Sequence, residues 1–126
     1  MSRMVLDAGA FIAFERGDVL LRARLEAARR MGMDVVTSAP VVAQVWRGGS
    51  RQVLIARLLA ATNVNAPDEA AARRAGALLA RTGSTDVVDA LLSGLVKDGD
   101  TLITSDPDDL RQLLETAGTR ALLLTT

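Results

Sequence analysis

The chain has 126 residues, and 49% of them are apolar, which suits one globular domain with a real core and leaves too little length for two. Lysine plus arginine balance aspartate plus glutamate at a net charge of zero, and there is no cysteine and no histidine. Disulfides, structural zinc sites, cysteine nucleophiles and imidazole bases are thereby excluded; the polar chemistry left is Asp, Glu, Ser, Thr, Arg and the single lysine Lys97, and the expected catalysis is carboxylate chemistry.

Met4-Val5-Leu6 reads as a short buried strand that ends on Asp7, and Ala10 to Glu15 as one short helix closed by Arg16-Gly17. Asp18 is placed to cap a second helix, in which Leu20, Leu21, Leu25 and Ala28 recur at helical spacing up to Gly32. Asp34 to Thr37 is a second strand. Pro40 then opens a helix carrying Val41, Val42, Gln44, Val45 and Trp46, which Gly48-Gly49 stops. Ser50 to Ala61 is a further helix, and Asn63 to Asn65 a third strand supported mainly by its position. Pro67 to Arg81 is an alanine-rich helix ended by Gly83, and Ser84-Thr85-Asp86 starts another that runs to about Lys97. After the turn Asp98-Gly99-Asp100, the apolar run from Thr101 stops at Thr104-Ser105-Asp106. A helix from Pro107 to Thr116 and a last strand from Ala121 to Leu124 complete the chain.

Short, continuously apolar strands alternating with helices imply a parallel sheet covered on both faces. The expected fold is therefore a three-layer α/β/α sandwich over residues 1–126, with a mostly parallel sheet of four to five strands. Functional groups in such sheets collect beyond the carboxyl ends of the strands. Asp7 and Asp106 each follow a strand directly, so both are expected at that edge.

The acids have an ordinary use as well, since Asp86 with Asp89, and Asp106 with Pro107 and Asp109, fit helix-start patterns. Asp7 closes a buried strand, and Asp89 lies one turn inside its helix on the same face as Asp86. If Asp7, Asp89 and Asp106 converge, their repulsion calls for a cation, and hard carboxylate oxygens select magnesium or manganese. Charge is also divided along the chain. Arg16 to Arg57 holds eight arginines against Asp18, Glu26 and Asp34, whereas Ser84 to Thr126 holds eight acids against Lys97, Arg111 and Arg120. That division suits a phosphate backbone held against a cation site, although solvated helix faces give it too.

Four stretches together resemble the PIN-domain family, in particular the ribonuclease toxins of VapC-type toxin–antitoxin pairs. They are Val5-Leu6-Asp7-Ala8-Gly9-Ala10, Val42-Ala43-Gln44-Val45-Trp46-Arg47-Gly48, Asp86-Val87-Val88-Asp89-Ala90 and Thr104-Ser105-Asp106-Pro107-Asp108-Asp109-Leu110. The resemblance implies a magnesium- or manganese-dependent endoribonuclease with Asp7, Asp89 and Asp106 as catalytic, metal-holding acids. Gln44, Asp86, Thr104, Ser105 and Asp109 fall in auxiliary positions, Asp108 beside them, and Arg16, Arg47 and Arg51 are placed to grip RNA phosphates. It also implies a cognate antitoxin and a homodimer, with the segment from Asp18 to Ala61 as the surface for both. Gln44 departs from the family pattern, which has a glutamate there, so the site has one charge fewer. Reduced metal affinity, compensation by Asp86, and a module that binds without cutting are the three readings of that departure.

A phosphoacceptor receiver domain is the remote rival. It needs an acidic pair after strand one, an acceptor aspartate after strand three and a lysine after strand five. This chain offers Asp7 alone, Asn65 with Asp68 beyond Pro67, and Lys97 at a helix end. The opening Met1-Ser2-Arg3 leads into Met4-Val5-Leu6 without a secretory pattern, and no apolar run nears the roughly 20 residues that span a bilayer. The expected location is cytoplasmic, with no membrane partner.

Overall fold

The structure is a computed structural model and describes residues 2–126. Its strands are β1 (Met4–Leu6), β2 (Val35–Ser38), β3 (Asn63–Asn65), β4 (Thr101–Thr104) and β5 (Leu122–Thr125). Its helices are α1 (Ala8–Glu15), α2 (Val19–Arg30), α3 (Ala39–Val45), α4 (Val53–Ala60), α5 (Glu69–Thr82), α6 (Val87–Leu95) and α7 (Pro107–Ala117). All neighbouring strands run parallel, in the order β3-β2-β1-β4-β5. A receiver domain has the order 2-1-3-4-5, so the topology removes that rival.

The order has a direct consequence for the site. From β1 the chain moves outward through β2 to β3, then returns to place β4 on the other side of β1 and β5 beyond it. Right-handed crossovers moving in opposite directions must lie on opposite faces. Accordingly α1 packs with α2, α3 and α4, whereas α5, α6 and α7 pack on one another. The direction of winding reverses between β1 and β4. A crevice opens there beyond the carboxyl ends of the strands, and it is where Asp7 and Asp106 follow their strands.

The core that holds this edge is aliphatic apart from Phe11. Val5, Leu6, Phe11, Leu92, Leu102, Ile103 and Leu110 are fully buried, so β1 and β4 are covered on both faces. Burying each such side chain contributes about 1.5–3 kcal/mol before chain entropy is set against it. Arg3 closes the opposite edge, donating to both carboxylate oxygens of the buried Asp100, which also accepts the Lys97 N–H. Burial alone would raise the pKa of Asp100, but those donors hold it below the usual carboxylate range.

Several element boundaries differ from the sequence expectation, each for a local reason. Helix α1 starts at Ala8 rather than Ala10, because Asp7 caps it through the Ala10 N–H at 3.1 Å. Helix α5 starts at Glu69 behind Asp68, whose carboxylate accepts the Ala71 N–H at 2.8 Å, and not at Pro67. Ser50–Gln52 forms a 3-10 turn before α4, fixed where the Gln52 amide accepts from Arg47 and Gly48 and donates to Val45. Helix α6 ends at Leu95, since Val96 turns extended and the Lys97 N–H goes to Asp100. Among the described residues, no helix is long and apolar enough to cross a membrane.

Candidate metal centre

Asp7 is held where β1 turns into α1 and is 6% exposed. Its carboxylate caps α1 by accepting the Ala10 N–H, and the nearby Thr104 hydroxyl and the backbone N–H groups of Gly9 and Ser105 favour its charged form. Burial raises its pKa, and these donors offset the rise only in part. Gly9 is required for the approach. A Cβ at residue 9 would lie inside the Ser105 side chain and 2.9 Å from its backbone nitrogen.

Thr104 links the two central strands, because its buried hydroxyl serves Asp7 and accepts the Asp106 N–H at 2.8 Å. Asp106 occupies the cap position of α7 but makes no capping bond with its side chain. The carboxylate is turned toward Asp109 in the first helical turn. Partial desolvation and the adjoining Asp109 carboxyl push the Asp106 pKa up.

Asp86 does cap α6, accepting the Asp89 N–H at 3.0 Å. Asp89 itself points to the crevice, and its pKa is raised to about 7, first by burial and then by the charges of Asp86, Asp7 and Asp106. Carboxylate oxygens of Asp89, Asp106 and Asp109 lie within 4.8 Å of one another. Asp7 is outside that trio, although its charge is felt by Asp89.

The structure therefore brings Asp7, Asp89, Asp106 and Asp109 to one edge, with Asp86 and Thr104 directly behind them. Asp109, which the resemblance puts in an auxiliary position, lies in the trio with Asp89 and Asp106. Gln44 is exposed on α3, and Asp108 faces away in an ion pair with Arg111. Arg16 and Ser105 line one cleft beside the edge. Arg47 and Arg51 are exposed around the α3–α4 connection, the Arg47 guanidinium donating to the carbonyls of Ala43 and Trp46. Trp46 is 43% exposed.

Oxygen donors from three carboxylates at this spacing fit a hard divalent cation, and burial followed by the charge of neighbouring carboxylates raises the pKa of both Asp89 and Asp106.

The PIN domain profile matches residues 4–114, and the chain belongs to the PIN domain family. Two solved structures share the fold over 98% of both chains. One is VapBC2 from Rickettsia felis bound to a DNA fragment from their promoter, at 13% identity and a TM-score of 0.72. The other is DNA-bound VapBC from Salmonella typhimurium, at 17% identity and a TM-score of 0.67. No curated protein matches the chain.

Proposed function

We propose that this PIN domain is a magnesium- or manganese-dependent endoribonuclease and the toxin of a toxin–antitoxin pair in the cytoplasm. The observation that carries the reading is the meeting of Asp89, Asp106 and Asp109 beside the buried Asp7 at the reversal point of the sheet. A divalent cation at this place would supply positive charge against a phosphodiester and lower the pKa of a water. Asp89, Asp106 and Asp109 would hold it, and Asp7 would add charge from a fixed position. Thr104 keeps Asp7 and Asp106 in mutual register, while Asp86 orients the first turn of α6. Arg16 lies closest to this edge of the three arginines expected to grip flanking phosphates, since it shares a cleft with Ser105.

A cognate antitoxin and a homodimer partner belong to the same reading. A cleft of about 350 Å³ between α2 and α4 is lined by Phe14, Leu25, Met33 and Leu58 and bordered by Arg22 and Arg57. It is the antitoxin surface within the segment from Asp18 to Ala61, and self-association covers the exposed Trp46. Both VapBC structures that share the fold are complexes bound to DNA, which supports an antitoxin partner.

The second reading is a module that binds RNA or antitoxin without cutting, favoured by Gln44. We infer instead that Asp109 replaces the charge that Gln44 lacks. Calorimetric titration with manganese separates the two: one-site binding lost in Asp106→Asn supports the metal centre, and absence of binding by the unaltered chain overturns it.

A further inference from the structure

A second feature lies along the α6 face of the sheet, on the other side of β1 from Asp106, and runs from the carboxyl ends of β2 and β3 toward Arg3 and Lys97 at the opposite edge. Ser38 ends β2 and is 2% exposed, and its Oγ is the one buried side-chain polar atom without a hydrogen-bond partner among the described residues. An unpaired buried hydroxyl is costly, so such a group calls for an acceptor. Ser38 lines a cleft of about 330 Å³ beside α6, together with Asn65 at the end of β3, Arg74 of α5 and Lys97. Neither Arg74 nor Lys97 is held in an ion pair among the described residues. Arg3 also reaches this cleft, but its charge is committed to Asp100. Asp68 is the single acid in the lining, and its carboxylate is turned to the Ala71 N–H.

We propose that this cleft seats a phosphate of an RNA strand whose neighbouring phosphodiester lies at the acidic edge. The inference rests on the ribonuclease reading and names a second contact for the same substrate. Two free cations, a hydroxyl without an acceptor and the Asn65 amide form a donor set for a phosphate oxygen. No aromatic ring lines the cleft, so it has nothing to stack a base on and holds the strand without reading its sequence. The distances are short. Strand ends along the edge step by about 4.8 Å, so those of β2 and β3 lie about 5 and 10 Å from that of β1. Helix α6 spans both places, with Asp89 in its first turn and Gly94, a cleft residue, about 8 Å further along its axis.

The test is amide chemical-shift mapping of the full chain with a short single-stranded uridine oligonucleotide, in calcium so that cleavage is slow. Shifts are expected at both the acidic edge and the cleft, at Ser38, Asn65, Ala71 and Gly94. The double variant Arg74→Ala/Lys97→Ala should lose the cleft shifts and bind the oligonucleotide about five- to ten-fold more weakly at low salt, with the salt slope reduced by about 0.7. Ser38→Ala should also weaken RNA binding while leaving the melting temperature equal or higher, which a purely structural serine would not do. Shifts at the acidic edge alone would overturn the cleft and leave the ribonuclease reading intact, whereas shifts at neither place would overturn both. A poly-glutamate peptide that moved the cleft amides as strongly as RNA would also overturn the assignment to nucleic acid.

Discussion

Asp86 accepts the backbone N–H of Asp89 at 3.0 Å, so the residue that starts α6 also sets a negative charge beside the acid that α6 delivers to the crevice. Capping stabilises the helix by about 1 kcal/mol, while the same carboxylate helps raise the Asp89 pKa to about 7. The first turn of α6 thus gains local stability and gives some back as repulsion at the site.

Stability without metal should therefore fall as pH rises. Asp89 has a folded-state pKa of about 7 against an ordinary value of 3.8, so the folded chain holds the extra proton between those values. The associated stability is complete below about pH 4 and lost as pH passes 7, and Asp7 and Asp106 shift in the same direction. Thermal melts at pH 5.5 and 8 in the presence of a chelator check this: melting is expected lower at the higher pH, and manganese should raise it more at pH 8 than at pH 5.5. Asp89→Asn should stabilise the metal-free chain at pH 8 by on the order of 1 kcal/mol after solvent screening.

Asp109 and its neighbour Asp108 should separate cleanly. Asp109 belongs to the trio, whereas Asp108 pairs with Arg111 on the exposed side of α7. Asp109→Asn is expected to weaken manganese binding by about ten- to a hundred-fold, and Asp108→Asn by less than about three-fold. Equal losses in calorimetry would show that general acidity, not placement, binds the ion.

Gly9→Ala should disturb the site through packing alone. The added methyl meets Ser105 and forces back the β4–α7 connection that carries Asp106. A loss of about 1–3 kcal/mol in denaturant unfolding is expected, together with weaker manganese binding. Gly76→Ala, where a Cβ meets nothing within 4 Å, is the matched control and should be neutral or slightly stabilising.

Gln44→Glu tests how the missing acid is compensated. If Asp109 supplies the charge only in part, the variant should bind manganese about three- to ten-fold more tightly and cleave faster. No change in either measurement would mean that the exposed Gln44 lies outside the working site.

Much of the architecture was legible because local chemistry decides it. Asp18 caps α2 as its spacing implied, accepting the Leu21 N–H at 2.8 Å. Pro40 sits in the first turn of α3, and Gly83 ends α5 in a left-handed conformation. β3 was placed from the alternation of strands and helices, and it pairs with β2 although all three of its residues are exposed. The site was legible only in outline. Asp7 and Asp106 could be assigned to one edge from the strand ends and Asp89 only through the family resemblance, but whether an acid caps its helix or turns into the crevice depends on its rotamer and on neighbours distant in sequence. Asp86 caps its helix with its side chain, Asp106 does not, and Asp109 lies in the trio. The contact between Gly9 and Ser105 and the unpaired Ser38 hydroxyl arise from the packing of separate elements and leave no local pattern.

The central claim is tested most directly by cleavage of a labelled RNA by the purified chain without antitoxin, in manganese, in a chelator, and in manganese restored after chelation. Cleavage is predicted with manganese, lost with the chelator, regained on restoration, and absent in both Asp89→Asn and Asp106→Asn. Cleavage that survives the chelator or either substitution, or no cleavage under any of these conditions, would contradict it.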